Sequence, residues 1–172
     1  MASQWFPGAG RDAGDETFLG SLRAEVELAG LIDATPDRTA LHVWETALVV
    51  LVEIPGLQDA EARPTLEVVC DLQRAPTLMC GCETYGYLVD SYDEMDLAGV
   101  ARTPAALGRQ AHRWFTEQLC RPVEERIWST WRGERSLVRF ADTGEAIWWD
   151  SGAWRRRERR PDRVVDRRPF TS

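Results

Sequence analysis

Apolar residues recur at intervals of three and four positions in the first part of the chain, which is the spacing of one helix face. Asp15 can cap the start of such a helix, and Gly30 stands where a helix commonly ends. The pattern therefore predicts a helix between these two residues. Its apolar positions are Phe18, Leu19, Leu22, Val26 and Ala29.

A second amphipathic stretch predicts a helix from Pro104 to Leu119. Thr103 is a favourable N-cap, and Pro104 suits the first helical position. Pro122 cannot continue a helix, so the element should end before it. The apolar stripe consists of Leu107, Ala111, Trp114 and Phe115.

Residues 36–46 leave helix and strand open, because Thr35 followed by Pro36 resembles a capped helix start. From Ala47 to Ile54, side chains branched at Cβ are abundant and a Pro-Gly pair follows, which favours a buried strand. Residues 65–72 and 77–91 contain Val, Thr, Tyr and Cys between turn-forming breaks. These two segments predict further antiparallel strands.

The sequence from 126 to 149 has the spacing of a three-stranded meander. Short segments at 126–131, 135–141 and 145–149 are separated by turn-forming residues at 132–134 and 142–144. Taken together, the patterns predict an α+β fold with a small antiparallel sheet, two or three helices and this C-terminal meander.

The length of 172 residues fits one domain, which we place at residues 15–153. Residues 1–14 are a Gly-rich, flexible lead-in that only Trp5 and Phe6 can anchor. Residues 154–172 form an Arg-rich tail with too few apolar side chains for a core, so we expect it to be disordered, or else docked on the body. Because no long apolar run is present, we expect a soluble, cytoplasmic protein without a membrane segment.

Charge is distributed unevenly along the chain. Residues 1–100 carry 18 acidic side chains against 5 Arg, whereas residues 101–172 carry 16 Arg against 10 acidic side chains. This separation indicates electrostatic attraction, either to a partner or within the chain.

All 21 basic residues are Arg, and without Lys the chain cannot form a Walker A loop, a kinase site or a Schiff base.

The four Cys residues are the first candidates for a metal site. Cys80 and Cys82 alternate along a predicted strand, so both thiols share one face, and Cys70 and Cys120 could complete a zinc tetrahedron. The spacing lacks the second pair of ligands typical of structural zinc sites. Reduced, buried thiols are therefore favoured, and we expect no metal and no cofactor. A thiolate at Cys80 or Cys82 is the remaining enzymatic hypothesis.

Histidine and carboxylate patterns give no stronger metal site. His42 and His112 are too few for a three-His zinc centre. An acidic cluster has Met95 where the calcium-loop pattern requires Gly, which favours a solvated loop over a cation site. The cluster could instead dock the basic tail, in the same chain or in a partner. Its members are Asp90, Asp93, Glu94 and Asp96.

Tryptophan is concentrated in the basic part of the chain, where six of the eight Trp residues follow residue 100. Trp128, Trp131 and Trp148 fit the core of the predicted meander. Trp and Arg are also enriched among the residues that dominate protein interfaces. The predicted partner-binding residues are Trp148, Trp149, Trp154, Arg155, Arg156, Arg157, Arg159 and Arg160.

These observations predict a non-enzymatic binding or accessory protein that acts through a protein partner. The alternative is single-stranded nucleic-acid binding through the same region, because aromatic rings stack on bases and Arg binds phosphate. In the first case, deletion of residues 154–172 should abolish binding and leave folding intact.

Overall fold

The structure is a computed structural model, and it describes residues 4–57, 64–73, 76–83, 93–150 and 153–168. Within these ranges the chain forms two α-helices, nine strands and two 3-10 turns. In chain order the elements are α1 (Ala13–Ala29), a 3-10 turn (Pro36–Arg38), β1 (Thr39–Val43), β2 (Leu48–Glu53), β3 (Thr65–Asp71), β4 (Thr77–Glu83), β5 (Asp93–Glu94), α2 (Pro104–Leu119), β6 (Val123–Thr130), β7 (Gly133–Phe140), β8 (Ala146–Trp149), a second 3-10 turn (Trp154–Arg156) and β9 (Arg163–Arg168).

The first five strands form an antiparallel sheet in the order β1-β2-β3-β4-β5. Its second strand is buried on both faces. Leu48 and Val50 join the main core, whereas Val49 and Leu51 belong to a smaller apolar cluster on the opposite face. Because successive strand residues point to opposite faces, burial of both faces explains why this strand is continuously apolar.

The last four strands form a second antiparallel sheet in the order β8-β7-β6-β9. Strands β6, β7 and β8 are the predicted meander, which the structure confirms. Strand β9 pairs with the free edge of β6, where Val165 lies opposite Glu125 and Val164 opposite Arg126. Of the two states expected for the tail, the docked one is therefore present over residues 163–168.

A single core joins the helices to both sheets. Leu22 of α1, Phe115 of α2, Val68 of β3 and Phe140 of β7 all belong to one buried cluster. Phe6 from the N-terminal segment is fully buried in the same core, and its ring lies 6.1 Å from that of Phe115. The two sheets thus share their packing with the same helix pair.

The predicted helices are both present, so the α+β prediction is confirmed. The second helix begins and ends where its pattern indicated, and the Thr103 hydroxyl accepts a hydrogen bond from the Ala106 amide. The first helix begins earlier than expected, because Asp12 and not Asp15 is the N-cap. Asp15 is instead buried against Arg11, as an ion pair of 2.7 Å.

The ambiguous segment 36–46 consists of the 3-10 turn followed by β1. The Thr35-Pro36 signal therefore starts a single turn, after which the chain becomes a strand. The predicted strands at 47–54 and 65–72 correspond to β2 and β3, and the strand predicted at 77–91 corresponds to β4 up to Glu83. Residues 84–91 of that prediction lie outside the described ranges. Neither described helix is both long and apolar enough to cross a membrane.

Candidate partner-binding surface

Three hydrogen bonds hold the Arg-rich segment, residues 155–162, against strand β6. The Trp128 indole Nε1 donates to the Arg159 carbonyl at 3.3 Å. The Asp162 amide donates to the Ile127 carbonyl at 2.9 Å, and its carboxylate accepts from the Ser129 amide at 2.7 Å. These bonds fix the backbone of residues 159–162 next to the β6 strand.

A small apolar cluster packs at the start of the same segment. Ala153 is fully buried and packs with Trp128 and Leu137. Trp149 is half-buried and packs against this cluster. The segment therefore begins on an apolar anchor, which leaves its charged side chains on the outside.

Four arginines of this segment have no partner among the described residues. The side chains of Arg155, Arg156, Arg159 and Arg160 form no ion pair and no hydrogen bond with any described residue. Three of these side chains are exposed, and that of Arg156 is half-buried. The fifth, Arg157, is 3.9 Å from Glu158. The four unpaired guanidinium groups carry positive charge that the described part of the chain does not neutralise.

Trp131 lies in the turn between β6 and β7. Its side chain is 86% exposed, and the Arg132 guanidinium lies 4.3 Å from its ring. Ser129, which binds Asp162, is only two residues away along β6. An exposed indole thus sits at the same end of the sheet as the unpaired arginines. We call Trp131, Arg155, Arg156, Arg159 and Arg160 the basic surface.

The expectation that Trp131 lies in the meander core is wrong, because β6 ends at Thr130 and the indole projects from the turn. Trp128 and Trp148 do pack inside, as expected. The signal that could have identified Trp131 is the adjacent Arg132-Gly133 pair, which marks a turn and hence an exposed position.

The predicted partner-binding tryptophans are distributed differently from the arginines. Trp148 is half-buried and packs against the main core. Trp149 is half-buried in the cluster below the Arg-rich segment. The side chain of Trp154 lies outside what the structure describes. Of the predicted residues, the structure therefore places Arg155, Arg156, Arg157, Arg159 and Arg160 on one exposed segment.

Two arginines of β9 are paired with nearby carboxylates. Arg163 pairs with Glu134 at 3.3 Å, and Arg167 pairs with Glu125. Neither acid belongs to the predicted acidic cluster. Its described members, Asp93, Glu94 and Asp96, are exposed and form no ion pair with the described tail, while Asp90 lies outside the described residues.

The four thiols differ in burial, and within the described ranges they are not part of a metal-binding cluster. Cys70 and Cys82 are buried and Cys80 is half-buried, whereas Cys120 is exposed after α2. Burial raises the pKa of the Cys80 thiol to about 11 and that of Cys70 to about 12, and it also raises the pKa of Cys82. A protonated thiol is a poor nucleophile, which argues against a thiolate at these positions. No cluster of three or more metal-binding side chains occurs in the described part of the chain.

The two histidines have separate surroundings. His112 on α2 has its Nε2 atom 3.1 Å from the Gly30 carbonyl, so it ties α2 to the residue that ends α1. His42 is exposed on β1. This polar contact between the two helices gives His112 a structural role.

Compared with protein-family models, with curated proteins and with solved structures, the chain shows no significant match.

Proposed function

We propose that this chain is a non-enzymatic binding or accessory protein that contacts an acidic partner protein through the basic surface. The observation that supports this most strongly is a group of four arginines that have no partner among the described residues, at the end of the sheet where an indole is 86% exposed. The chain fixes the backbone beneath these side chains but leaves their charges unbalanced.

Arginine and tryptophan side chains are well suited to binding an acidic protein surface. A guanidinium group pairs with carboxylates in a planar, two-point geometry, and an exposed indole buries a large apolar area on contact. Arg and Trp are accordingly enriched among the interface residues that cost the most when truncated. Separated charge would also steer an acidic partner toward this end of the molecule.

Single-stranded nucleic acid is the second candidate, and Trp131 is the observation that favours it. Arg132 covers one part of the indole, and an exposed aromatic ring can stack on a base. The overall charge of −7 opposes this reading more strongly than it opposes a protein partner, because a polynucleotide carries a negative charge on every phosphate, whereas a protein needs only an acidic patch. We therefore rank it below a protein partner.

Point substitutions are the appropriate test, because truncation removes a structural strand. Deletion of residues 154–172 would remove β9 and the Asp162 contacts, so the expectation that this deletion leaves folding intact is abandoned. The test variant replaces the four unpaired arginines with Gln. Its control replaces Arg102, Arg109 and Arg113, which are exposed at or on α2, with Gln.

The measurement is chemical cross-linking of the tagged full-length protein in extract of the cells that produce it, followed by mass spectrometry. We expect a specific acidic protein to be captured by the wild type and the α2 control, with capture by the test variant reduced by about tenfold or more. Equal capture by the test variant would exclude the basic surface as the contact.

A fluorescent single-stranded oligonucleotide separates the second candidate. If the anisotropy shows binding that weakens steeply with salt and is lost in Trp131→Ala, nucleic acid replaces the protein partner as the favoured ligand. We expect no such binding at physiological salt.

A further inference from the structure

A cleft of about 330 Å³ lies between the second sheet and the turn that follows β2. One wall is formed by Leu57, and the opposite wall by side chains from β6, β7, β8 and β9. It is separate from the basic surface, so it does not depend on the proposed function. The lining residues used here are Leu57, Glu125, Ser136, Val138, Trp148 and Arg167.

Glu125 supplies a buried carboxylate with one unused oxygen. The residue is 9% exposed, and both hydrogen bonds from Arg167, through Nε at 2.8 Å and through Nη2, go to the same atom, Oε2. Its other oxygen, Oε1, accepts no hydrogen bond from any described residue. A buried charged oxygen without a donor is costly, so this atom favours a ligand group that donates.

Arg167 supplies the opposite charge at the same place. Its Nη1 atom takes no part in the bonds to Glu125 and makes no hydrogen bond within the described chain. The outer edge of this guanidinium can therefore bind a carboxylate. Because Arg167 is bonded to Glu125, the free acceptor and the free donors lie within a few ångströms of each other.

The other acidic groups at the cleft are already engaged. Asp150 accepts hydrogen bonds from the Ser136 and Ala153 amides, both at 3.0 Å. Glu134 is paired with Arg163 at 3.3 Å. Arg135, the other arginine at the cleft, lies 3.8 Å from Asp150. Among the acidic groups of the cleft, Glu125 therefore keeps an oxygen without a donor from the described residues, next to Arg167 and the apolar side chains.

We propose that this cleft binds a free α-amino acid with an apolar side chain. The ammonium group donates to Oε1 of Glu125, and the carboxylate accepts from the outer edge of Arg167. The apolar side chain lies against Leu57, Val138 and Trp148. A zwitterion with adjacent charges satisfies both free groups at once, and a cleft of about 330 Å³ is large enough for one such molecule.

The first test varies the ligand and leaves the full-length protein unchanged. Isothermal titration compares L-phenylalanine and L-leucine with phenethylamine, which lacks the carboxylate, and with 3-phenylpropanoate, which lacks the ammonium group. We expect saturable binding of an amino acid, with each analogue weaker by about tenfold or more, since each loses a charged hydrogen bond. Equal binding of the analogues, or no saturable heat at millimolar amino acid, would overturn the proposal.

The second test varies the protein. Glu125→Gln keeps an oxygen for Arg167 but removes the negative charge, and we expect it to weaken amino-acid binding by about tenfold or more. Glu134→Gln, at the same cleft but already paired and mostly exposed, is the matched control and should bind as the wild type does. Unchanged affinity of Glu125→Gln would contradict the assignment. If circular dichroism shows that Glu125→Gln does not fold, the titrations of the wild-type protein with amino acids and their analogues decide whether the proposal holds.

Discussion

Gly108 of α2 lies directly against the backbone of Phe18 on α1. A Cβ atom at this glycine would stand 2.5 Å from the Phe18 carbonyl oxygen and 3.0 Å from the Leu22 amide nitrogen. Real Cβ atoms do not approach backbone so closely, so the absence of a side chain sets the distance between the helices. The same helix pair supports both sheets, and this contact therefore affects the whole core.

Gly108→Ala should destabilise the protein, because the added methyl group can fit only if α1 and α2 move apart. We expect a loss of about 2 kcal/mol in the free energy of unfolding, measured by urea denaturation. Gly20→Ala is the matched control. Gly20 is exposed on α1 with no atom within 4 Å of an added Cβ, so alanine should stabilise by about 0.5 to 1 kcal/mol. Destabilisation by both substitutions would show that the close approach is not the cause.

Asp15 should contribute to stability through its ion pair with Arg11. Its side chain is fully buried, and Arg11 Nε lies 2.7 Å from Oδ2. Asp15→Asn leaves the Arg11 charge without its partner, and we expect a loss of about 2 to 3 kcal/mol at neutral pH, since Arg11 stays partly exposed. Asp12→Asn is the control, because Asn caps a helix as well as Asp does, and it should change stability by less than about 0.5 kcal/mol.

The Asp15 contribution should disappear in acid. Burial by itself would raise the pKa of Asp15, but the side-chain and backbone hydrogen bonds from Arg11 lower it overall. A carboxyl with a lowered pKa in the folded state stabilises above its ordinary pKa of about 4, and this stabilisation is lost as the pH falls through the lowered value. The gap between wild type and Asp15→Asn in urea denaturation should therefore narrow below about pH 4. A gap that is constant from pH 7 to pH 3 would contradict this account.

Cys120 should be the thiol that reacts first in the native protein. It is exposed, whereas burial raises the pKa of Cys70, Cys80 and Cys82. Only the thiolate attacks a disulfide reagent, so Ellman's reagent should give one fast phase, and the buried thiols should react on addition of denaturant. Cys120→Ser should abolish the fast phase, and Cys80→Ser should retain it. A fast phase that survives in Cys120→Ser would mean that a buried thiol is accessible.

The carboxylate of Asp162 should hold the Arg-rich segment on β6. It accepts from the Ser129 amide at 2.7 Å, so we expect Asp162→Ala to cost about 1 kcal/mol in urea denaturation and to speed tryptic cleavage after Arg155, Arg156, Arg157 and Arg159. Asp166→Ala is the control, because Asp166 is exposed on β9 and its side chain forms no ion pair or hydrogen bond with a described residue. Equal cleavage rates in the two variants would argue against this anchor.

Helix periodicity and caps predicted the second helix closely, because Thr103, Pro104 and the apolar stripe are local signals that act within a few residues. The N-cap of α1 was predicted at Asp15 and lies at Asp12, because the two residues have the same side chain and both can cap a helix. Only the position of Arg11 against the folded helix makes one of them the cap and the other a buried ion-pair partner.

Exposure of individual tryptophans was not decided by local pattern. Trp128 and Trp131 are three residues apart, yet one is buried below the Arg-rich segment and the other is 86% exposed. The difference arises because β6 ends at Thr130, between the two residues, and the tail covers only Trp128. Sequence reasoning located the basic residues of the candidate surface but missed its exposed indole.

The sequence by itself determined the α+β class, the meander, the second helix and the exclusion of lysine-dependent chemistry, because each depends on composition or on neighbours a few residues apart. The tertiary structure decided that the tail joins β6, that four arginines find no partner among the described residues, and that Glu125 meets Arg167 across 42 residues. Such pairings depend on which sheet edge is free and on where the backbone brings charges together. The periodicity of a chain sets the faces of its elements, but it does not specify contacts between elements distant in sequence.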